Sequence, residues 1–306
     1  MKNILFIGDL HLDSQTPVSR LDNYRELTLT KLRSLLELAK QHKAGHVVCT
    51  GDFFDKYDAP ISYLNEVAEV FNEYKEAGVT MYSAIGNHET PYNRMEYFKN
   101  TPLSLLAKSG LVKLLGTDGG IFLEDSNTLL FGLNFTDPYD KFENLATSKK
   151  IYSILTLHYA LENTVPGESV NKKDYTKFDL VVAGHDHMPY DELEYEGTTF
   201  IRPGSFIRRT KDDYNLNRGI TVYKLDVDSR EVEKLELPGV KPTELVFKSE
   251  ILNALSSDKV NKDFEALFKE EFFKSKEQNL LHIIDELEHL VTDKTKKTIK
   301  DYVRNN

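Results

Sequence analysis

The sequence has a single cysteine, no apolar run of membrane-spanning length, and no internal repeat or low-complexity tract. One cysteine excludes a disulfide within the chain, which suits the cytosol. Because Cys49 lies inside a predicted buried strand, we interpret it as a small core residue. The missing apolar run argues against a membrane span, and Met1-Lys2-Asn3 leads into a strand without a signal-peptide pattern. We therefore expect a cytoplasmic protein with no membrane partner.

The sequence also has fewer basic residues than acidic ones. The chain has 39 Lys and Arg against 49 Asp and Glu, a net charge of −10. This balance is not typical of a free-standing nucleic-acid-binding protein. If the protein acts on DNA, its affinity must come from a local basic face, from bound metals or from a partner subunit. Its 306 residues, 40% of them hydrophobic, are enough for one large folded domain and a small one.

Up to about residue 108, short apolar runs alternate with amphipathic segments, which predicts βαβ units and a largely parallel sheet. The predicted elements are strands Ile4–Ile7, His46–Cys49 and Val79–Ile85, and helices Tyr24–His42, Pro60 to Gly78 and Met95–Lys108. From Val112 onward the pattern changes to short strands separated by turns. These are Val112–Leu115, Ile121–Glu124, Thr128–Leu133, Ile151–Leu157, Asp179–Ala183, Tyr190–Tyr195, Thr198–Ile201, Ile220–Asp226 and Glu231–Leu237. We predict an α/β domain over residues 1–240 and a small, highly charged helical segment over residues 241–306.

Polar side chains that can bind metals follow five of the predicted strands, at the point where each strand ends. They are Asp9, His11, Asp52, Asn87, His88, His158, His185 and His187. The carboxyl ends of strands in open α/β sheets are where ligands usually bind. The two oxygens of Asp52 can each bind a different metal ion, and two divalent ions about 3.5–4 Å apart support in-line attack of an activated water on a phosphate ester. The mixed nitrogen and oxygen ligands favour manganese, iron or zinc.

Each motif alone is a weak signal, because Gly-Asp and Asn-His pairs are common. The combination is more specific, since five of the nine histidines fall just past strands. Gly184-His185-Asp186-His187 is the most specific element, because alternate residues leaving a strand can reach two adjacent ions. We interpret the remaining histidines as solvated or hydrogen-bonded side chains.

These motifs, in this order, resemble the calcineurin-like metallophosphoesterase superfamily. The motifs are Gly8-Asp9-Leu10-His11, Gly51-Asp52, Gly86-Asn87-His88-Glu89, His158 and Gly184-His185-Asp186-His187. Within it, Gly51-Asp52-Phe53-Phe54-Asp55 and Arg202-Pro203-Gly204-Ser205 resemble the SbcD-type DNA-repair nucleases of bacteria and phages. The resemblance implies a sandwich of mixed sheets flanked by helices, followed by a small C-terminal helical segment.

The resemblance also implies roles for individual residues. One ion would be held by Asp9, His11, Asp52 and His187, and the other by Asp52, Asn87, His158 and His185. His88 would contact the phosphate or protonate the leaving oxygen. The ions are most readily two Mn²⁺. Two departures stand out: Glu89 replaces an Asp found in many nucleases of the group, and Asp55 replaces a histidine of archaeal and eukaryotic relatives.

The predicted function is therefore a manganese-dependent DNA exonuclease or endonuclease, the nuclease subunit of an SbcCD-like repair complex in a bacterial or phage-infected cytosol. Two alternatives remain: a small-molecule or protein phosphodiesterase or phosphatase with the same metals, and a non-catalytic scaffold. A homodimer is expected through the helices around Ile61–Ala77 and Met95–Lys108. The apolar stripes beyond Pro242, such as Phe264, Phe268 and Phe272, are expected either to dock on an SbcC-like coiled-coil ATPase or to pack within this chain.

The densest basic cluster near these motifs is a further candidate. It consists of Arg202, Arg208, Arg209, Lys211 and Arg218, of which we predict Arg202, Arg208 and Arg209 as substrate-binding residues. The functional interpretation is a track for backbone phosphates beside the metals. The alternative is a solvated loop, which charged segments usually form.

Overall fold

The computed structural model describes residues 2–116, 119–145, 147–148, 150–162, 168–209, 213–216 and 218–248. The chain divides after Leu245 into two units, and every element below belongs to the first. Most of the predicted C-terminal helical segment, including its apolar stripes, lies outside the described residues. Its domain assignment therefore stays a prediction.

Two six-stranded sheets form the body of the first unit. The strands are β1 Asn3–Ile7, β2 Ala44–Cys49, β3 Thr80–Ser83, β4 Val112–Leu114, β5 Ile121–Leu123, β6 Thr128–Leu133, β7 Tyr152–Leu157, β8 Ala160–Leu161, β9 Ser169–Val170, β10 Leu180–Ala183, β11 Tyr190–Tyr195, β12 Thr198–Arg202, β13 Thr221–Leu225 and β14 Val232–Glu236. The first sheet has the order β14-β13-β1-β2-β3-β4, in which β1 to β4 are parallel and β13 and β14 add an antiparallel edge. The second has the order β11-β12-β10-β7-β6-β5, in which β6, β7, β10 and β12 are parallel and β5 and β11 are antiparallel edges.

The two sheets share an apolar core. Phe6 and Val48 of the first sheet belong to the same buried cluster as Ile154 and Val182 of the second, and all four are fully buried. Continuous apolar runs such as β10 are what strands covered on both faces require. The predicted fold, a sandwich of mixed sheets with flanking helices, is confirmed.

Three helices precede the second sheet: α1 Tyr24–Gln41, α2 Ile61–Glu76 and α3 Pro102–Lys108. The Asn23 side chain caps α1 by accepting a hydrogen bond from the Glu26 amide. The helix predicted over Met95–Lys108 is wrong in extent, because a 3₁₀ segment Met95–Asn100 comes first and α3 begins only at Pro102. Proline disfavours helical backbone at the preceding residue, and Thr101 is extended.

The helices predicted to dimerise use most of their large apolar residues within the chain. Tyr63, Phe71 and Tyr74 are at most 1% exposed and pack in the core between α2 and the first sheet. Ile61 and Met95 remain exposed.

Within the part of the chain that is described, no helix combines the length and apolar character needed to cross a membrane.

Candidate metal centre

The ends of five parallel strands bring the predicted ligands together. Residues Ile7, Cys49 and Ser83 end neighbouring strands of the first sheet, and Leu157 and Ala183 end neighbouring strands of the second. The loops after them carry Asp9, His11, Asp52, Asn87, His88, His158, His185 and His187. The carboxyl ends of the strands of both sheets meet here, since the His185 amide donates a hydrogen bond to Asp9 Oδ2 at 3.0 Å. All eight side chains predicted from the sequence are thus neighbours.

The first group of candidate ligand atoms comes from Asp9, His11, Asp52 and His187, which lie within 4.8 Å of one another. His11 Nε2 is 2.9 Å from His187 Nε2 and 3.8 Å from Asp52 Oδ2. His187 Nε2 is 3.7 Å from Asp9 Oδ2. The Thr50 hydroxyl donates to Asp9 Oδ1 at 2.7 Å and so fixes that carboxylate. These are the four residues expected to hold one ion.

The second group is built around Asn87. Its Oδ1 lies 3.0 Å from His158 Nε2 and 3.1 Å from His185 Nδ1. His158 Nε2 is also 3.4 Å from Asp52 Oδ1, so Asp52 turns one oxygen to each group. The His158 Nδ1 is bonded to the Thr50 carbonyl, which leaves Nε2 for the site. This is the set expected to hold the other ion.

Asp52 is held between the groups by tight backbone packing. Its φ of 42° is in the left-handed region, which non-glycine residues seldom adopt outside functional sites. A Cβ at Gly86 would lie 2.1 Å from Asp52 Oδ1, and one at Gly51 would lie 2.4 Å from His158 Nδ1. Glycine is therefore required at both positions. The motifs Gly51-Asp52 and Gly86-Asn87 are packing requirements as much as chemical ones.

The charge of the site fits a pair of cations. Two imidazole nitrogens 2.9 Å apart, as at His11 and His187, need a proton or a shared cation between them. Burial alone would raise the pKa of Asp52, yet the surrounding histidines, His158 foremost, lower it, so the carboxylate is ionised. Burial works against charge on His158 too, but Asp52 and Asp9 raise its pKa to about 10. Metal ions would take the place of that proton. The residues present therefore fit two divalent ions.

His88 stands beside these groups rather than inside them. Its Nδ1 is 2.6 Å from the Asp55 carbonyl oxygen, which it reaches as a donor, and Nε2 lies 3.8 Å from Asp52 Oδ2. The side chain is 31% exposed, whereas those of His11 and His158 are at most 1% exposed. Burial lowers its pKa, but the Asp52 charge, the hydrogen bond to the Asp55 carbonyl and the charges of Asp55 and Glu89 together raise it. His88 thus lies at the border of the two ligand groups with a partly exposed ring.

Asp55, which had no assigned role, contacts the site directly. It is buried, its Oδ1 is 3.4 Å from His11 Nδ1, and its Oδ2 accepts a hydrogen bond from Arg209 at 2.5 Å. Its carbonyl orients His88. Carboxylates behind ligating histidines fix ring orientation and raise basicity. The sequence signal for this orienting role is the position of Asp55, three residues after the predicted ligand Asp52.

Two glutamates complete the surroundings. Glu89 is buried and its two oxygens accept from the amides of Phe54, at 2.9 Å, and Gly86, at 3.0 Å, so it ties together the two loops that carry Asp52 and Asn87. Burial, with Asp52 next, raises its pKa to about 8. Glu168 Oε2 lies 2.6 Å from His185 Nε2 and directs Nδ1 of that ring toward the site. Nothing in the sequence pointed to Glu168.

Two of the three arginines predicted to bind substrate are buried in the structure. Arg202 is 4% exposed, with its guanidinium on Asp186 at 2.8 Å and on the Met188 carbonyl at 2.7 Å. Arg208 is equally buried and bonded to backbone carbonyls. Both guanidinium groups thus bind loops of this chain. Arg209 reaches the metal centre through Asp55, and Lys211 lies outside the described residues.

The fold and the centre together define a class: two mixed sheets whose strand ends carry ligands for a pair of divalent ions, the arrangement of metallophosphoesterases. The family described as calcineurin-like phosphoesterase matches residues 2–189, more than half of the chain. The protein belongs to this family, whose members use a dinuclear site of divalent metals.

The chain is similar to a DNA repair protein in sequence, and it was also compared with a solved structure. The DNA double-strand break repair protein Mre11 of Aeropyrum pernix is 24% identical over 258 residues, which cover 78% of this chain and 61% of that protein. The chain thus spans about three-fifths of the length of this relative. The crystal structure of TT1561 of Thermus thermophilus superimposes with a TM-score of 0.48 at 12% identity, over 77% of this chain and 99% of that one.

Proposed function

We propose that this chain is a manganese-dependent DNA nuclease that hydrolyses phosphodiester bonds. The observation that carries the proposal is the pair of buried ligand groups sharing Asp52, with the partly exposed His88 at their edge. The choice of DNA as substrate is supported by the similarity to Mre11, a DNA repair protein. The metal preference follows from the mixed imidazole, carboxylate and amide donors.

The chain's own residues divide the chemistry among them. When bound, the two ions neutralise charge on the phosphoryl oxygens and lower the pKa of a water. Asp52 holds one carboxylate oxygen toward each ligand group, and Thr50 and the His185 amide fix the oxygens of Asp9. His88, held through Nδ1 by the Asp55 carbonyl, has Nε2 placed to protonate the leaving oxygen.

The substrate class is tested with the purified chain, metal-stripped and then supplied with Mn²⁺. Labelled single-stranded and duplex DNA are compared with a series of nitrophenyl phosphate mono- and diesters. Faster hydrolysis of DNA, lost in Asn87→Ala, supports the nuclease. Efficient hydrolysis of the small esters with intact DNA favours the small-molecule phosphodiesterase or phosphatase. Inactivity of the metal-loaded wild type toward every ester would favour the scaffold.

We further propose that residues beyond Leu245 dock on an SbcC-like ATPase. The support is the acidic net charge and the i, i+4, i+8 spacing of Phe264, Phe268 and Phe272. Truncation is best placed after Leu245, because Arg208 contacts Lys241 and Thr243 in the first unit. A folded, active truncated protein that no longer binds the ATPase is the expected result. Retained ATPase binding contradicts the proposal, and so does failure of the truncated protein to fold.

The homodimer is likewise a proposal. It rests on exposed apolar residues in the expected region, among which Ile61 is 77% and Leu105 is 51% exposed. We expect Ile61→Asp with Leu105→Asp to convert a dimer into a monomer in light scattering, while Phe122→Asp, at an exposed position on β5 outside that region, serves for comparison. A monomeric wild type at micromolar concentration would refute it.

A further inference from the structure

A buried lysine on helix α1 has no counter-ion among the residues that the structure describes. Lys31 is 5% exposed, and its ammonium forms no hydrogen bond or ion pair with any of those residues. The next lysine on the helix, Lys40, is in contrast exposed and paired with Glu37 at 2.8 Å. The charged form of a lysine at such a largely buried position is unfavourable without a partner. A bound anion would stabilise that charged form.

The surroundings of Lys31 add positive charge. Burial, and then the guanidinium groups of Arg20, Arg208 and Arg218, hold the pKa of Lys31 well below its usual range. Asp22 acts in the opposite direction, but both of its oxygens accept hydrogen bonds from Arg20 at 2.9 Å. Its charge is thus largely used by Arg20. Three guanidinium groups and one carboxylate of the described residues therefore act on Lys31.

Lys31 also borders a cleft that can admit a small ligand. The cleft has a volume of about 160 Å³. Its polar lining consists of Asn23, Glu26, Thr30, Lys31, Ser34 and Lys241. Pockets for drug-sized ligands measure roughly 300–1,000 Å³, so this one suits a small ion and not a nucleoside. None of its residues is a candidate metal ligand, which separates it from the metal centre.

We propose that the cleft over Lys31 binds a small oxyanion of the phosphate type, which supplies a counter-ion to the Lys31 ammonium. Hydroxyl groups of Thr30 and Ser34 are available at the same cleft as hydrogen-bond donors. The anion is either free phosphate or a phosphate group of a nucleic-acid strand. The inference stands on the Lys31 cluster and does not depend on the proposed nuclease activity.

The test measures thermal unfolding of the full chain in EDTA, so that phosphate cannot act through the metal centre. Inorganic phosphate is titrated against sodium chloride at matched ionic strength. We expect a saturable rise in Tm for the wild type, no phosphate-specific rise for Lys31→Met, and a wild-type response for Lys40→Met on the same helix. Equal effects of phosphate and chloride on the wild type would overturn the proposal, as would a wild-type response in Lys31→Met.

A second measurement needs no variant and remains decisive if Lys31→Met does not fold. Acylation of lysines by acetic anhydride is followed by peptide mass spectrometry with and without phosphate. We expect phosphate to slow modification of Lys31 and to leave Lys40 unchanged. Equal rates at Lys31 refute the site. If only inorganic phosphate protects Lys31, the site binds the free anion. If a short DNA strand protects Lys31 as well, the site binds a strand phosphate. Both results support an oxyanion site at Lys31.

Discussion

Glu168 offers a sharp test of how the second ligand group is held. Its Oε2 lies 2.6 Å from His185 Nε2, while Nδ1 of the same ring faces Asn87 Oδ1 at 3.1 Å. A carboxylate at this distance fixes the tautomer with a proton on Nε2 and makes Nδ1 a better ligand. Glu168→Gln keeps the shape of the side chain and removes the charge.

The expected magnitude follows from the exposure of the pair. Loss of a carboxylate behind a ligating histidine typically costs ~10–100-fold in metal affinity or activity. The Glu168 side chain is 42% exposed, so solvent screens the interaction and the lower end of the range applies. We therefore expect about a 10-fold weaker affinity, or about 1.4 kcal/mol, for one of the two ions.

Calorimetric Mn²⁺ titration of metal-free protein measures this effect, with activity against Mn²⁺ concentration as a second assay. Glu162→Gln is the matched control, because Glu162 is similarly exposed and pairs with Lys172 away from the histidines. The control should bind both ions as the wild type does. Wild-type affinity for both ions in Glu168→Gln, or an equal loss in the control, would refute the reasoning.

Three further predictions concern other parts of the structure. His88→Ala should lower the rate of DNA cleavage ~10²–10⁴-fold, the usual contribution of a general acid, while Mn²⁺ binding measured by calorimetry stays near wild type; full activity contradicts the assigned role. Gly86→Ala should abolish activity and lower the free energy of unfolding, measured in urea, by about 1–3 kcal/mol, because the new Cβ would lie 2.1 Å from Asp52 Oδ1. An active variant of unchanged stability would contradict this expectation, since it would show that the loop can shift to accommodate the methyl group. Cys49 is fully buried and its pKa is raised by burial, so a thiol reagent such as DTNB should modify it only after unfolding, and rapid reaction of the native protein would argue against the core assignment.

The succession of elements along the chain and the positions of the ligands were predictable because both are local properties of the sequence. A buried strand is a continuous apolar run, and a polar residue directly after it must lie at the strand end, as Asp9 and His158 do. The break before α3 has a local cause as well, since Pro102 restricts the backbone of Thr101. Apolar periodicity continues across this proline, and for that reason the pattern predicts one unbroken helix.

Charge was the property that the sequence described least well. The sequence does not distinguish the environments of the basic residues Arg202, Arg208 and Lys31. In the fold, Arg202 pairs with Asp186, whereas guanidinium groups lie near Lys31. Whether a basic residue faces solvent, a carboxylate or another cation depends on neighbours far away in the chain. No spacing rule contains that information.

The sequence by itself determined the class of fold and the residues able to bind metals, because strand periodicity and residue chemistry act over a few positions. Only the tertiary structure decided which nitrogen of each histidine faces the site and what holds it there. Thr50 reaches His158 across 108 positions, and Glu168 reaches His185 from beside a short strand pair that was not predicted. Such contacts arise when two sheets pack face to face with their strand ends on the same side, and their geometry is set by the packing of the whole domain.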